Sequence, residues 1–96
     1  MYASLTSFKT APDKRAEAEK VADQSFAAIQ GMKGFKDSLY LGDPEKNEYT
    51  SLNIWETKED METAYRMIWS KMQEVLKPLA VEPPIRKVYE VYEPKK

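Results

Sequence analysis

The chain has no cysteine and no histidine among its 96 residues, and only three glycines. Without cysteine it can form neither a disulfide framework nor a thiolate nucleophile nor a zinc-thiolate centre. Without histidine it lacks the commonest general base, the usual axial ligand of heme iron, the serine-histidine relay and the ligand of most transition-metal sites. Only carboxylates remain for a metal, and no motif groups them. A charge bias is missing too: 15 basic residues face 16 acidic ones, with no long block of either, so nothing marks a polyanionic partner. No window approaches the ~20 apolar residues of a membrane span. The first strand carries Tyr2, Ser4 and Thr6 where a secretory signal needs an unbroken apolar run. The expectation is a cytoplasmic protein with no membrane or nucleic-acid partner. So short a chain makes one domain, residues 1–96, and buries only ~65% of the surface its unfolded state exposes.

What is present is an order of elements. Tyr2 to Lys9 alternates as a strand, and Thr10-Ala11-Pro12-Asp13 places proline to open a helix from about Pro12 to Gln30. Ala18, Ala22, Ser25, Ile29 and Met32 form its apolar stripe, flanked by Val21 and Phe26. Small residues dominate that stripe, so the helix can lie close to a sheet. Gly31 and Gly34 end it. A strand follows from Phe35 to Leu41, then a polar reversal over Gly42 to Asn47, then a strand from Glu48 to Glu56. Thr57-Lys58-Glu59-Asp60 reads as a cap with acidic residues in the first turn. Met61, Tyr65, Ile68, Met72, Val75 and Leu79 set the stripe of a second helix, with Trp69 one residue off its centre and Pro78 disrupting its end. Ile85 to Glu93 is the last strand.

The order β-α-β-β-α-β predicts an α+β, ferredoxin-like domain: a four-stranded antiparallel sheet with both helices on one face. On the third strand Thr50, Leu52 and Ile54 alternate with Tyr49, Ser51, Asn53 and Trp55. The aliphatic row reads as the core side. The polar and aromatic row, with Ser38 and Tyr40, then falls on the bare face, and bare aromatic area is usually covered. A homodimer formed sheet to sheet is the expectation.

The residues also carry a resemblance. Gly31-Met32-Lys33-Gly34-Phe35, Leu39 before Gly42-Asp43-Pro44, and Asn53-Ile54-Trp55-Glu56 running into Thr57-Lys58-Glu59-Asp60 resemble the antibiotic biosynthesis monooxygenase-type domain of the dimeric α+β barrel superfamily. The likeness spans the whole chain. It implies a pocket between helices and sheet, used in different relatives for cofactor-free oxidation of quinols or anthrones, heme degradation or isomerisation of small metabolites. Heme-degrading relatives carry an asparagine on the first strand and a tryptophan and a histidine on the second helix. Here the first strand has no asparagine, and Ala64 and Glu74 stand at the helix positions, which argues against heme degradation.

The resemblance implies a monooxygenase acting without cofactor on a small electron-rich aromatic or quinol. Such chemistry needs a stabilised substrate anion, polar donors and an aromatic slot. Tyr65, Trp69 and Met72 would line the slot and Arg66 would hold an anion. Asn53 and Trp55 would contribute if their face meets the pocket. Each has a blander reading: Tyr65 as a core edge, Trp55 as a packing and interface anchor, Arg66 as a solvated surface cation, Met72 as gap-filling core. Asn53 is the least bland, because an amide in mid-strand needs partners if buried.

Two rivals follow. An RNA-recognition module has the same element order, and Lys33-Gly34-Phe35 through Tyr40 begins and ends like its octapeptide. Lys36, Asp37 and Ser38 break the middle, and the segment falls on the wrong strand. The second rival is a noncatalytic, ligand-binding or regulatory homodimer of the same fold, which the chain's composition leaves open.

Overall fold

A computed structural model describes residues 1–95. The elements are β1 (Tyr2–Lys9), α1 (Arg15–Ile29), β2 (Phe35–Asp43), β3 (Glu48–Trp55), α2 (Lys58–Leu76) and β4 (Ile85–Glu90). They form one antiparallel sheet in the order β2-β3-β1-β4, as the element order predicts, with both helices against one face. No helix among the described residues is long and apolar enough to cross a membrane.

Local chemistry explains the boundaries. The first helix begins at Arg15 rather than Pro12, because Asp13 adopts φ 64°, a left-handed turn conformation that no helix can include. The second begins where expected: the Thr57 hydroxyl accepts the Asp60 backbone N–H at 3.1 Å, and Glu59 and Asp60 lie at the positive end of the helix dipole. Hairpin β2-β3 is closed by Asn47 at φ 53°. The Asp43 carboxylate there accepts the backbone N–H groups of Glu45 and Lys46 at 3.2 and 3.3 Å. The last strand ends at Glu90, three residues before the sequence suggested.

Gly34 sits at φ 81° between α1 and β2, packed against the Asp60 side chain at the start of α2. A Cβ there would run into that carboxyl group. Gly34→Ala should therefore lower unfolding free energy by about 1–3 kcal/mol, from backbone strain together with displacement of Asp60. Urea denaturation checks this, and an unchanged midpoint would contradict it.

The largest departure from the sequence reading concerns the sheet faces. Trp55 is 2% exposed and packs in the core with Ile29, Met61 and Ala64, so it anchors the helix layer and not a bare face. By strand alternation, Ser51, Asn53 and Tyr49 share its side. The same side carries Ser38 and Tyr40 of β2, Ser4 and Thr6 of β1, and Arg86 of β4. The bare face is aliphatic instead. Leu52 stands opposite Leu5 and Ile54 opposite Ala3, and the row runs outward to Leu39, Leu41, Ile85 and Tyr89, the last four about half exposed or more.

The expectation inverted because alternation separates two faces without saying which one the helices cover. Aliphatic residues usually mark the inside. Here α1 offers Ala18, Ala22 and Ser25 toward the sheet, side chains too small to fill the layer. Polar groups beneath it open onto a chamber, and no fully buried side-chain oxygen or nitrogen among the described residues lacks a partner. Phe26, on the flank of the stripe, is 39% exposed and meets Phe35 edge-on at 6.0 Å.

Candidate functional site

Four cross-strand rungs order the helix-covered face of the sheet. Phe35, Trp55 and Tyr2 form an aromatic rung at one end, and Tyr49 with Phe8 forms another at the far end. Between them lie two polar rungs: Ser38, Asn53 and Ser4, then Tyr40, Ser51, Thr6 and Arg86. Successive rungs are two residues apart, roughly 6.8 Å along the strands. Aromatic ends around a polar middle give the face both a slot for a flat ring and groups to orient it.

Two adjoining chambers lie between this face and the helices. The outer one, about 240 Å³, is bounded by α1 through Ala18, Val21, Ala22 and Ser25, by the β2-β3 hairpin, and by Phe8 and Tyr49, whose rings are 5.9 Å apart. Arg15 and Glu19, paired at 3.3 Å, stand at its mouth. Gly42 faces Tyr49, and a Cβ at that position would press on the ring at 3.3 Å, so the missing side chain lets Tyr49 lie flat along β2. The inner chamber, about 60 Å³, is reached past Thr6, Ser25, Ser51, Met72 and Leu76, which line both.

The inner chamber gathers most of the residues singled out in the sequence. Asn53, Trp55, Tyr65, Trp69 and Met72 all line it. Asn53 Oδ1 accepts the Ser38 hydroxyl at 2.6 Å, which leaves its Nδ2 as the group able to donate into the chamber. Tyr65 and Trp69, one turn apart on α2, stack with ring centres 5.1 Å apart.

Arg66 is a correction. It lies outside both chambers on the exposed side of α2, and its Nη2 donates to the Thr63 hydroxyl at 3.2 Å. Tyr65 takes the inward position, and the next residue on a helix points about 100° away. The cation that does face the chamber is Arg86 of β4. Its Cζ lies 3.7 Å above the centre of the Tyr65 ring, and its Nη2 is 3.9 Å from Glu62 Oε1. Stacking on an aromatic face holds the guanidinium plane while leaving N–H groups at its edge free to bind an anion. Sequence reading missed Arg86 because its neighbours come from register: it stands opposite Thr6, which nothing in the β4 residues announces. Ser4, Thr6 and Ser51 were missed as site residues for the same reason, and Ser25 because it read as one of the small residues of the α1 stripe. The available signal was the polar alternation of β1 and β3.

The chamber offers aromatic walls, a donor at Asn53 and a fixed positive charge at Arg86. Among the described residues, no three carboxylates converge to form a metal site.

No family model matches the sequence, and no curated protein matches it. Solved structures do. A protein from Deinococcus radiodurans, provisionally described as an antibiotic biosynthesis monooxygenase, superposes with a TM-score of 0.84 at 17% identity, covering 100% of this chain and 97% of its own. SnoaB, a cofactor-independent oxygenase from Streptomyces nogalater, gives 0.80 at 16% identity, over 97% of this chain and 94% of that one. Rv0793 from Mycobacterium tuberculosis gives 0.80 at 11% identity, over 99% and 98%. At these identities the likeness is one of fold. The chain has the ferredoxin-like α+β fold of the antibiotic biosynthesis monooxygenase-type domains, as the resemblance in its sequence implied.

Proposed function

We propose that the protein is a cofactor-independent monooxygenase of a small, electron-rich hydroxylated aromatic, working as a homodimer whose aliphatic sheet faces pack together. The observation that carries the reading is that Asn53, whose Oδ1 is taken up by Ser38, and Arg86, held over the Tyr65 ring, line one chamber together with Trp55, Tyr65 and Trp69. The fold shared with SnoaB supports it.

Size selects the ligand. A dry cavity of ~150 Å³ holds one benzene ring, so an outer chamber of about 240 Å³ suits a two-ring body. The inner chamber, about 60 Å³, has the share of roughly two waters and admits an oxygen-bearing ring edge.

In this reading the ring enters past Arg15 and Glu19 and lies against Phe8 and Tyr49, with its hydroxyl toward Asn53. Arg86 favours the ionised hydroxyl by charge, and Asn53 Nδ2 donates to the same oxygen. The ionised ring is electron-rich enough to pass one electron to dioxygen, and the two radicals then combine at a ring carbon. Loss of water completes the step: the carbon keeps one oxygen, and the other leaves with two substrate hydrogens. All four electrons that reduce dioxygen come from the substrate. The aromatic walls exclude bulk water while the radical pair recombines.

Oxygen uptake by metal-stripped protein with a panel of hydroquinones and anthrones tests the reading. The expected result is saturable uptake, with one oxygen atom from labelled dioxygen in the product, falling in Asn53→Ala and changing less in Tyr65→Phe. Uptake no greater than that of heat-treated protein would leave the noncatalytic ligand-binding dimer in its place.

A further inference from the structure

The inner chamber has two unlike walls. Its sheet wall is polar, carrying Asn53, Arg86 and the hydroxyls of β1 and β3. Its helix wall is apolar, built by Ile29 of α1 and by Met61, Ala64 and Ile68 of α2. Ile29 and Met61 are each 1% exposed and Ala64 3%, and Ile68 packs against them. Residues 61, 64 and 68 follow one face of α2 at spacings of three and four. Ala64, the middle one, ends at Cβ between two long side chains, which leaves the helix wall hollow there. The chamber measures about 60 Å³, the share of roughly two waters. A water beside Asn53 and Arg86 meets donors. One against the helix wall meets none, and an ordered water needs ~2–4 polar partners, so an apolar guest replaces it with a gain in affinity.

We propose that dioxygen occupies the hollow at Ala64, so that oxygen is delivered to the ring carbon beside the one bearing the ionised hydroxyl. The inference rests on the monooxygenase reading and adds to it where the second reactant binds and which carbon it meets. Only an oxygen-bearing ring edge fits the inner chamber, and it brings the hydroxyl and its neighbouring carbon next to Ala64. The opposite carbon of the ring stays in the outer chamber. One electron from the ionised ring turns dioxygen into superoxide, an anion that apolar side chains do not solvate. Arg86, on the facing wall, attracts it toward the ring edge. The two radicals join in a carbon–oxygen bond at the neighbouring carbon. The oxygen–oxygen bond then breaks as water leaves with two substrate hydrogens. In this way 1-naphthol and dioxygen give 1,2-naphthoquinone and water.

Dissolved dioxygen is paramagnetic and speeds the relaxation of nuclei it touches, so NMR locates it without turnover. In methyl-labelled, ligand-free protein the Met61, Ala64 and Ile68 methyl groups should relax faster in proportion to dissolved dioxygen. The Ala3 methyl, 6% exposed but outside both chambers, should not. Ala64→Val fills the hollow: KM for dioxygen should rise about tenfold, the worth of one small buried apolar contact, with KM for 1-naphthol unchanged. Turnover of 1-naphthol should yield the 1,2-quinone with one oxygen from labelled dioxygen. Equal relaxation of the Ala64 and Ala3 methyls, the 1,4-quinone as product, or an unaltered dioxygen KM in folded Ala64→Val would each overturn the site. Dioxygen localised at Ala64 without uptake from any substrate overturns the oxygenase reading alone. Uptake with dioxygen not localised there overturns the site alone.

Discussion

Leu52→Asp should convert the protein to a monomer at concentrations where the parent is dimeric. Leu52 lies mid-sheet on the bare face, beside Leu5 on one neighbouring strand and Leu39 on the other. Leu39, Leu41 and Ile85 are 52%, 54% and 61% exposed, an aliphatic surface that a soluble monomer rarely leaves uncovered. If two copies close face to face, a two-fold interface sets the new carboxylate against apolar side chains twice. Each costs several kcal/mol when no cation pairs with it. The dissociation constant should rise by about a thousandfold or more, read by sedimentation or light scattering, while the monomer keeps its secondary structure. Leu52→Asp that remains dimeric would place the subunit contact elsewhere, and a parent monomeric at micromolar concentration would remove the dimer.

Arg86→Gln should lower kcat/KM by about a hundred- to a thousandfold, the scale on which one preorganised donor at a developing or fixed anion acts. It should also change the pH profile. With Arg86 present the bound hydroxyl ionises more easily, so the rate rises with pH through a lowered substrate pKa. Removing the cation moves that rise to higher pH, and raising the pH should restore part of the lost rate. Glu62, 3.9 Å away, partly offsets the Arg86 charge, so Glu62→Gln should move the rise slightly the other way. Arg86→Lys should recover less than charge alone predicts, because an ammonium cannot reproduce the flat stack on Tyr65 at 3.7 Å. A loss in Arg86→Gln that is uniform across pH would indicate that the arginine only supports Tyr65.

The physics behind these predictions was unevenly legible in the sequence. Element order, the Thr57 cap and the Gly34 turn were readable because each rests on local preferences of a few adjacent residues. The inward position of Tyr65 and Met72 on α2 followed from periodicity, with Trp69 one residue off the stripe centre. Face assignment did not. Trp55 and Asn53 alternate with Leu52 and Ile54 whichever side the helices take, and aliphatic content pointed to the wrong one. What decides it is the α1 stripe of Ala18, Ala22 and Ser25: too small to fill the layer, it leaves space that polar residues can line. The stripe was noticed for close packing, but its consequence for the opposing sheet face needs tertiary geometry. Arg66 and Arg86 divide the same way. Arg66 sits next to a correctly placed Tyr65 yet points outward. Arg86 reaches the Tyr65 ring from a strand twenty-one residues later in sequence, through sheet register that single-strand patterns do not contain.

The central claim is that the ligand occupies the helix-covered polar face. Anaerobic titration of 1-naphthol into isotope-labelled protein, followed by NMR, tests it most directly. The account predicts saturable shifts of the Asn53 side-chain amide and the Trp69 indole N–H, with Leu39, Leu41 and Ile85 methyl groups unmoved. Shifts confined to those methyl groups, with Asn53 and Trp69 unchanged, would contradict it.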